Sequence, residues 1–118
     1  MKLKYFDISE FDSPDEKGSG ANMNIDFLQK LDAIRDGVGP LKINSGYRTK
    51  AHNEKVKGSA NSSHLKGLAV DIHCTDSRKR WQIIAAAMAQ GVNRIGVAKT
   101  FIHLDVDPEK PPPVIWTY

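Results

Sequence analysis

The chain has 118 residues, 40% of them hydrophobic and 26% charged, which is length enough for one buried core and an ordinary balance for a globular protein. Its 17 Lys and Arg outnumber 14 Asp and Glu for a net charge of +3, a mild basicity that favours an anionic partner surface. The basic residues are scattered, with no strip of interleaved aromatic and basic side chains, so nucleic acid is not an expected partner. Cys74 is the only cysteine, which excludes an intrachain disulfide, and no apolar run approaches transmembrane length.

Phe6 to Phe11 reads as a short strand or turn, and Ser13 to Gly20 as a loop by composition. Asn24 is a natural N-cap, and Ile25, Leu28, Leu31 and Ile34 recur at helical spacing up to Gly37, where Gly37-Val38-Gly39-Pro40 ends the helix. Leu41 to Ser45 reads as a strand, and Thr49 to Val56 as a short helix stopped by Lys57-Gly58. A polar loop, Ser59 to Ser63, leads to a second strand over Leu68 to Cys74. Cys74 at its end is expected as a small buried apolar residue, since no signature of a cysteine nucleophile surrounds it.

Asp76 or Ser77 caps a further helix whose apolar positions Trp81, Ile84, Ala85 and Met88 run to Gln90, with Gly91 as C-cap. Arg94 to Ala98 and Phe101 to Val106 form a hairpin turning at Lys99-Thr100. A Pro-rich connection, Asp107 to Pro113, precedes an edge strand over Val114 to Tyr118. No repeat or linker divides the chain, so residues 1–118 are expected as one α+β domain. Its sheet is small and mainly antiparallel, flanked by helices of which two are long. No heptad pattern stands out, and a monomer is expected.

The chemistry concentrates in Ser62-Ser63-His64-Leu65-Lys66-Gly67-Leu68-Ala69-Val70-Asp71, answered by His103 in Phe101-Ile102-His103-Leu104-Asp105. Two imidazoles and one carboxylate suit a catalytic zinc site, which takes three protein ligands and keeps a fourth position open. Gly67 and the apolar run from Leu68 separate the first two ligands, so His64 belongs to a loop and Asp71 to a strand. For the site to form, Asp71 and His103 must point from their strands to one face of the sheet. Arg48 precedes this motif in a strand-to-helix loop, where a guanidinium can clamp a carboxylate.

The pattern Ser-x-His-x-x-Gly-x-Ala-x-Asp followed by a strand-borne His resembles the zinc D-Ala-D-Ala carboxypeptidases and related peptidoglycan peptidases, whose fold the hedgehog signalling domain shares. Ile43-Asn44-Ser45-Gly46-Tyr47-Arg48-Thr49, Ala51-His52-Asn53 and the opening Phe6-x-Ile8-Ser9-Glu10-Phe11-Asp12 are similar to the same family. The resemblance implies zinc held by His64, Asp71 and His103, a hedgehog- and DD-peptidase-like fold, and stem peptides of peptidoglycan as substrate. It also implies that Arg48 binds substrate or polarises the scissile carbonyl. Ser62 belongs to the motif and either bonds the loop backbone or meets a substrate carboxylate.

The chain departs from the family at the general base. Many relatives carry Glu or Asp three residues before the last histidine; here that residue is Thr100. Asp105, two residues after His103 on the same strand face, is either the base or a carboxylate that supports a ligand. His73, two residues after Asp71, is another candidate base, and His52 a further one. Zinc would bring the pKa of a water to about 7, and hydrolysis of a stem peptide or cross-bridge would follow as a D,D-carboxypeptidase or endopeptidase. The short chain leaves few insertions to close a groove, which favours the endopeptidase. The competing readings are a non-catalytic zinc domain that binds cell wall or protein, and a phage structural component. Met1 to Asp7 lacks an apolar segment before acidic residues, so no signal peptide is expected. Cytoplasmic synthesis, with release to the wall by a partner as for a phage or prophage lysis protein, fits that expectation; so does action on recycled wall peptides.

Overall fold

A computed structural model describes residues 3–118; Met1 and Lys2, where the N-terminal reading begins, lie outside them. The elements are α1 (Ile25–Val38), β1 (Ile43–Ser45), α2 (Lys50–Lys55), β2 (Ala69–His73), α3 (Ser77–Ala89), β3 (Arg94–Val97), β4 (Phe101–Asp105) and β5 (Val114–Thr117). The strands form one sheet in the order β1-β2-β4-β3-β5, antiparallel throughout except that edge strand β5 runs parallel to β3. This is the expected α+β arrangement.

Period-two alternation divides the sheet into two unlike faces. Val70 and Ile72 of β2, Ile95 of β3 and Ile102 and Leu104 of β4 are fully buried on one face. They join Phe27, Leu28, Leu31 and Ile34 of α1 and Ile83 and Ala87 of α3 in one apolar cluster. Burying each such side chain contributes about 1.5–3 kcal/mol, so this face carries the fold. The intervening residues, Asp71, His103, Asp105 and Arg94, share the other face.

The helix signals act as expected at the ends. The Asn24 side chain accepts from Phe27 N–H to start α1, and the Thr49 and Asp76 side chains do the same for α2 and α3. Cys74 is buried and unpaired. Phe6 to Phe11, expected as a strand or turn, closes as a 3-10 turn over Ile8–Phe11 instead. Asp7 and Glu10 form a capping box there, each accepting from a backbone N–H of the other end of the turn. That local bonding gives the segment its own partners and makes a sheet neighbour unnecessary.

The face assigned to α3 is also corrected. Trp81 and Met88, expected in the core, are 71% and 48% exposed, and the buried positions are Ile83 and Ala87. Trp81 stands two residues from Ile83, roughly 200° around the helix, so both cannot face the core. Lysines tie the helix pair at its two ends: Lys79 Nζ donates to the Val38 carbonyl, and Lys30 Nζ donates to the Gln90 carbonyl at 2.7 Å. Each lysine caps the C-terminus of the other helix, where a cation meets the negative end of the dipole, and together they set the rotation of α3. Among the described residues no helix is long and apolar enough to cross a membrane.

Candidate metal centre

The adjacent antiparallel strands β2 and β4 place Asp71 directly opposite His103. His64 comes from a single 3-10 turn, Ser63–Lys66, which Ser62 opens by accepting His64 N–H on its hydroxyl at 3.2 Å. Gly67 ends the turn at φ +70°, where a Cβ would lie 2.2 Å from the Asn22 carbonyl oxygen. Only glycine satisfies both the left-handed backbone and that close approach, so the spacing between His64 and Asp71 depends on it.

The three expected ligands converge. Their ligand atoms lie within 4.8 Å of one another. His64 Nε2 is 3.4 Å and His103 Nδ1 2.9 Å from Asp71 Oδ1. Ligands about 2.0–2.1 Å from a tetrahedral zinc stand roughly 3.3 Å apart, so these separations fit such an ion. Each histidine also has its far nitrogen anchored: His64 Nδ1 donates to the Gly46 carbonyl at 2.8 Å, and His103 Nε2 donates to Asp105 Oδ2 at 2.7 Å. The Gly46 carbonyl can only accept, so it sets the His64 tautomer that leaves Nε2 to ligate, whereas His103 has a carboxylate at each ring nitrogen and offers Nδ1 on the side of Asp71.

Burial alone would push the Asp71 carboxyl up, but hydrogen bonds and charge from His103 and His64 outweigh it and hold the group well below the usual carboxylate range. Burial likewise works to lower the His103 pKa, while the Asp105 and Asp71 carboxylates together raise it above the ordinary histidine value. A metal ion therefore competes with a proton for His103 Nδ1.

Arg48 lies at the site, engaged with Asp71. Its Nη2 donates to Asp71 Oδ2 at 3.3 Å, Nε to Ser45 Oγ at 3.0 Å and Nη1 to Asn53 Oδ1 at 3.3 Å. The buried Asn53, quoted within the motif but given no role there, also donates from Nδ2 to the Ser59 carbonyl at 2.8 Å, joining α2 to the loop before His64. Arg48, Ser59, Ser62, His64, Asp71, Phe101, His103 and Tyr118 line one cleft of about 300 Å³.

Asp105 stands behind His103, 2% exposed. One oxygen accepts from His103; the other accepts Arg94 Nε at 2.8 Å and Asp107 N–H at 3.2 Å. Burial pushes its carboxyl up, yet the His103 bond and charge, with Asp107 N–H and Arg94, bring it below the ordinary range. His73 is exposed at the end of β2, and neither it nor His52 lines the cleft. Thr100 is exposed in the β3–β4 turn.

Asp105 apart, sequence reasoning missed the support behind the candidate ligands. The fully buried Asp107 carboxylate accepts Ser63 Oγ at 2.7 Å and Lys66 Nζ at 3.0 Å, and Lys110 Nζ donates to Ser63 Oγ at 2.9 Å. This network fastens the turn bearing His64 to the chain leaving β4. Trp116 of β5 lies beside His103, ring centroids 5.4 Å apart, because Gly96 stands between them in the sheet. A Cβ at Gly96 would meet the Trp116 ring at 2.8 Å. Pairing of β5 with β3 is non-local, and the only advance signal was an aromatic-rich terminal strand.

No curated protein compared with the chain matches it. A family model described as Peptidase M15 matches residues 3–105, which include all three candidate ligands, Arg48 and Asp105. With the matched segment spanning most of the molecule and its two histidines and aspartate gathered at one point, the chain belongs to the M15 family of zinc D-Ala-D-Ala carboxypeptidase-like peptidases.

Proposed function

We propose that the protein hydrolyses peptide bonds in peptidoglycan stem peptides or cross-bridges, as a D,D-carboxypeptidase or endopeptidase. The observation that carries this reading is the convergence of His64, Asp71 and His103, with His64 held from behind by the Gly46 carbonyl and His103 by Asp105. A zinc ion held there supplies a Lewis acid for the scissile carbonyl and brings the pKa of a water to about 7.

The chain's own residues do the rest. Arg48 fixes the outer oxygen of Asp71, and its remaining N–H groups serve the substrate's carbonyl or terminal carboxylate. Ser62 holds the backbone of the His64 turn and borders the cleft. Asp105 acts through His103, fixing its orientation and making Nδ1 a better donor. With both oxygens of Asp105 engaged, proton transfer to the leaving amine falls to the water itself or to a substrate group.

A second reading, a non-catalytic zinc domain that binds wall or protein, is favoured by one observation: Thr100 is exposed in a turn and Asp105 is fully bonded, so neither supplies a free base at the cleft. Mass spectrometry of defined peptidoglycan fragments incubated with the zinc-loaded protein, beside a His64→Ala control, separates the two. A new fragment absent from the control is the expected result, and its mass names the bond. Bound zinc with no new fragment from any stem or cross-bridge overturns the peptidase reading in favour of the binding domain.

A further inference from the structure

The sheet face that carries the candidate ligands is organised in rows running across the strands. One row sets Asp71 of β2, His103 of β4, Gly96 of β3 and Trp116 of β5 side by side. The next sets Asp105 of β4 beside Arg94 of β3 and Val114 of β5. Because Gly96 carries no side chain, the Trp116 ring lies across β3 and reaches His103, with ring centroids 5.4 Å apart. The Arg94 guanidinium carbon stands 5.2 Å from the centre of the Trp116 ring, within the range of a cation–π contact. Arg94 Nε donates to Asp105 Oδ1 at 2.8 Å, while Asp105 Oδ2 meets His103 Nε2 at 2.7 Å. Arg94 Nη1 donates to the Pro111 carbonyl at 2.7 Å. Arg94, Asp105, His103 and Trp116 thus form a closed circuit of contacts, in which the arginine side chain is 14% exposed. Pro111 and Trp116 lie beyond residue 105, where the family match ends.

We propose that Arg94 is a positioning residue for the metal centre, locking the His103 ring from two sides through Asp105 and Trp116. This role rests on His64, Asp71 and His103 holding a metal ion, and not on which bond the protein cleaves. The bond to Asp105 fixes where the His103 nitrogens point within the ring plane, and Trp116 against the ring opposes rotation out of that plane. Either constraint alone leaves one freedom. A planar guanidinium donates hydrogen bonds in its own plane and stacks through its face, so Arg94 serves both constraints at once. The Pro111 bond ties the chain leaving β4 to the same group and makes that segment part of the centre. Charge alone predicts the opposite effect. A cation beside a metal site repels the metal, so an arginine acting only through its charge would weaken zinc binding.

The test is the zinc affinity of the folded full chain, measured by competition with a chromophoric chelator, beside the visible spectrum of the cobalt(II)-loaded protein. Arg94→Gln is expected to weaken zinc binding about tenfold and to shift the cobalt bands, although it removes a repelling charge. Arg94→Lys is expected to do the same, because an ammonium keeps the charge but neither the fork nor the plane. Trp116→Leu is expected to weaken binding by a smaller factor, and to add little when combined with Arg94→Gln, since both act on one histidine. Urea midpoints of the same variants separate folding from positioning. Lower midpoints with unchanged zinc affinity and cobalt spectrum overturn the proposal. So do tighter zinc binding in Arg94→Gln, full affinity in Arg94→Lys, or losses that simply multiply in the double variant.

Trp116→Leu carries the test alone if neither Arg94 variant folds: wild-type affinity and an unshifted cobalt spectrum then overturn the proposal. Wild-type protein that binds zinc but cleaves no peptidoglycan fragment removes the peptidase reading and leaves the role of Arg94 to the affinities above. Wild-type protein that binds no zinc removes the metal centre and the role of Arg94 with it.

Discussion

Ile102 and His103 are neighbours in β4, yet they belong to opposite halves of the protein's physics. Ile102 is fully buried among the side chains of the apolar cluster, while His103 faces the cleft between two carboxylates. The same division runs through β2, where Asp71 precedes the fully buried Ile72. One face of the sheet is non-directional, and its contribution scales with area removed from water. The other depends on orientation: each ligand has one useful nitrogen or oxygen, and a further residue holds its other end. The comparison teaches that a rigid sheet lets stability and metal chemistry share strands without sharing side chains.

Substitution at the ligands tests that separation most severely. His103→Ala is expected to abolish zinc retention and hydrolysis together, beyond the roughly 100-fold that loss of a supporting group costs in metal affinity. Metal analysis of the dialysed variant, with circular dichroism to show an intact fold, checks it. Full zinc occupancy in His103→Ala would break the assignment of the cleft face. Ile102→Ala is expected to do the reverse, lowering unfolding free energy by about 2–5 kcal/mol, while the folded fraction keeps one zinc site. Denaturant titration measures the first part and metal stoichiometry the second; loss of zinc from folded Ile102→Ala would show that the faces are coupled.

A smaller effect separates a ligand from its support. Asp105→Asn keeps the shape behind His103 but removes the charge that raises the basicity of its Nδ1. Zinc affinity is expected to fall about 10–100-fold. Turnover at saturating zinc then discriminates the roles proposed for this residue. Recovery of most activity is the expected outcome; activity that stays lost at full zinc occupancy would return Asp105 to the part of general base.

The two faces were not equally legible from sequence. The clustering of His64, Asp71 and His103 could be read because the motif through Gly67 is local and strand alternation places Asp71 and His103 on one face, both of which survive folding unchanged. The helix over Ile25–Val38 was legible for a similar reason: its cap, apolar period and terminal glycine agree. The buried face of α3 was not, because Trp81 and Met88 also fit a helical stripe, and the lysine ties to α1 that set the rotation are long-range. Asp105 was placed on the correct sheet face, but whether it looked toward the cleft or toward the back of His103 depended on Arg94 and on the chain after β4. Trp116 and Tyr118 reached the site through parallel pairing of β5 with β3, which has no local sequence signature.

The mildest perturbation acts on Asp107, which touches neither the apolar core nor a ligand. Burial pushes its carboxyl up, but the Ser63 hydroxyl, the Glu109 N–H and Lys66 outweigh that and bring it below the ordinary carboxylate value. Because the folded pKa is depressed, the unfolded chain binds a proton first as pH falls. The contribution of Asp107 is therefore present above the unfolded value of about 3.9 and is lost as pH drops through the folded value. Asp107→Asn is expected to lower the urea midpoint of metal-free protein at pH 7 and to narrow the difference from wild type at pH 3. Zinc affinity at pH 7 should fall by less than for Asp105→Asn, because Asp107 reaches His64 only through the backbone of the turn it fastens. A midpoint difference that is the same at both pH values would mean that the carboxylate's charge is irrelevant and that packing alone holds the turn. A zinc defect as large as that of Asp105→Asn would mean instead that the position of His64 is set less by the Gly46 carbonyl than by this network.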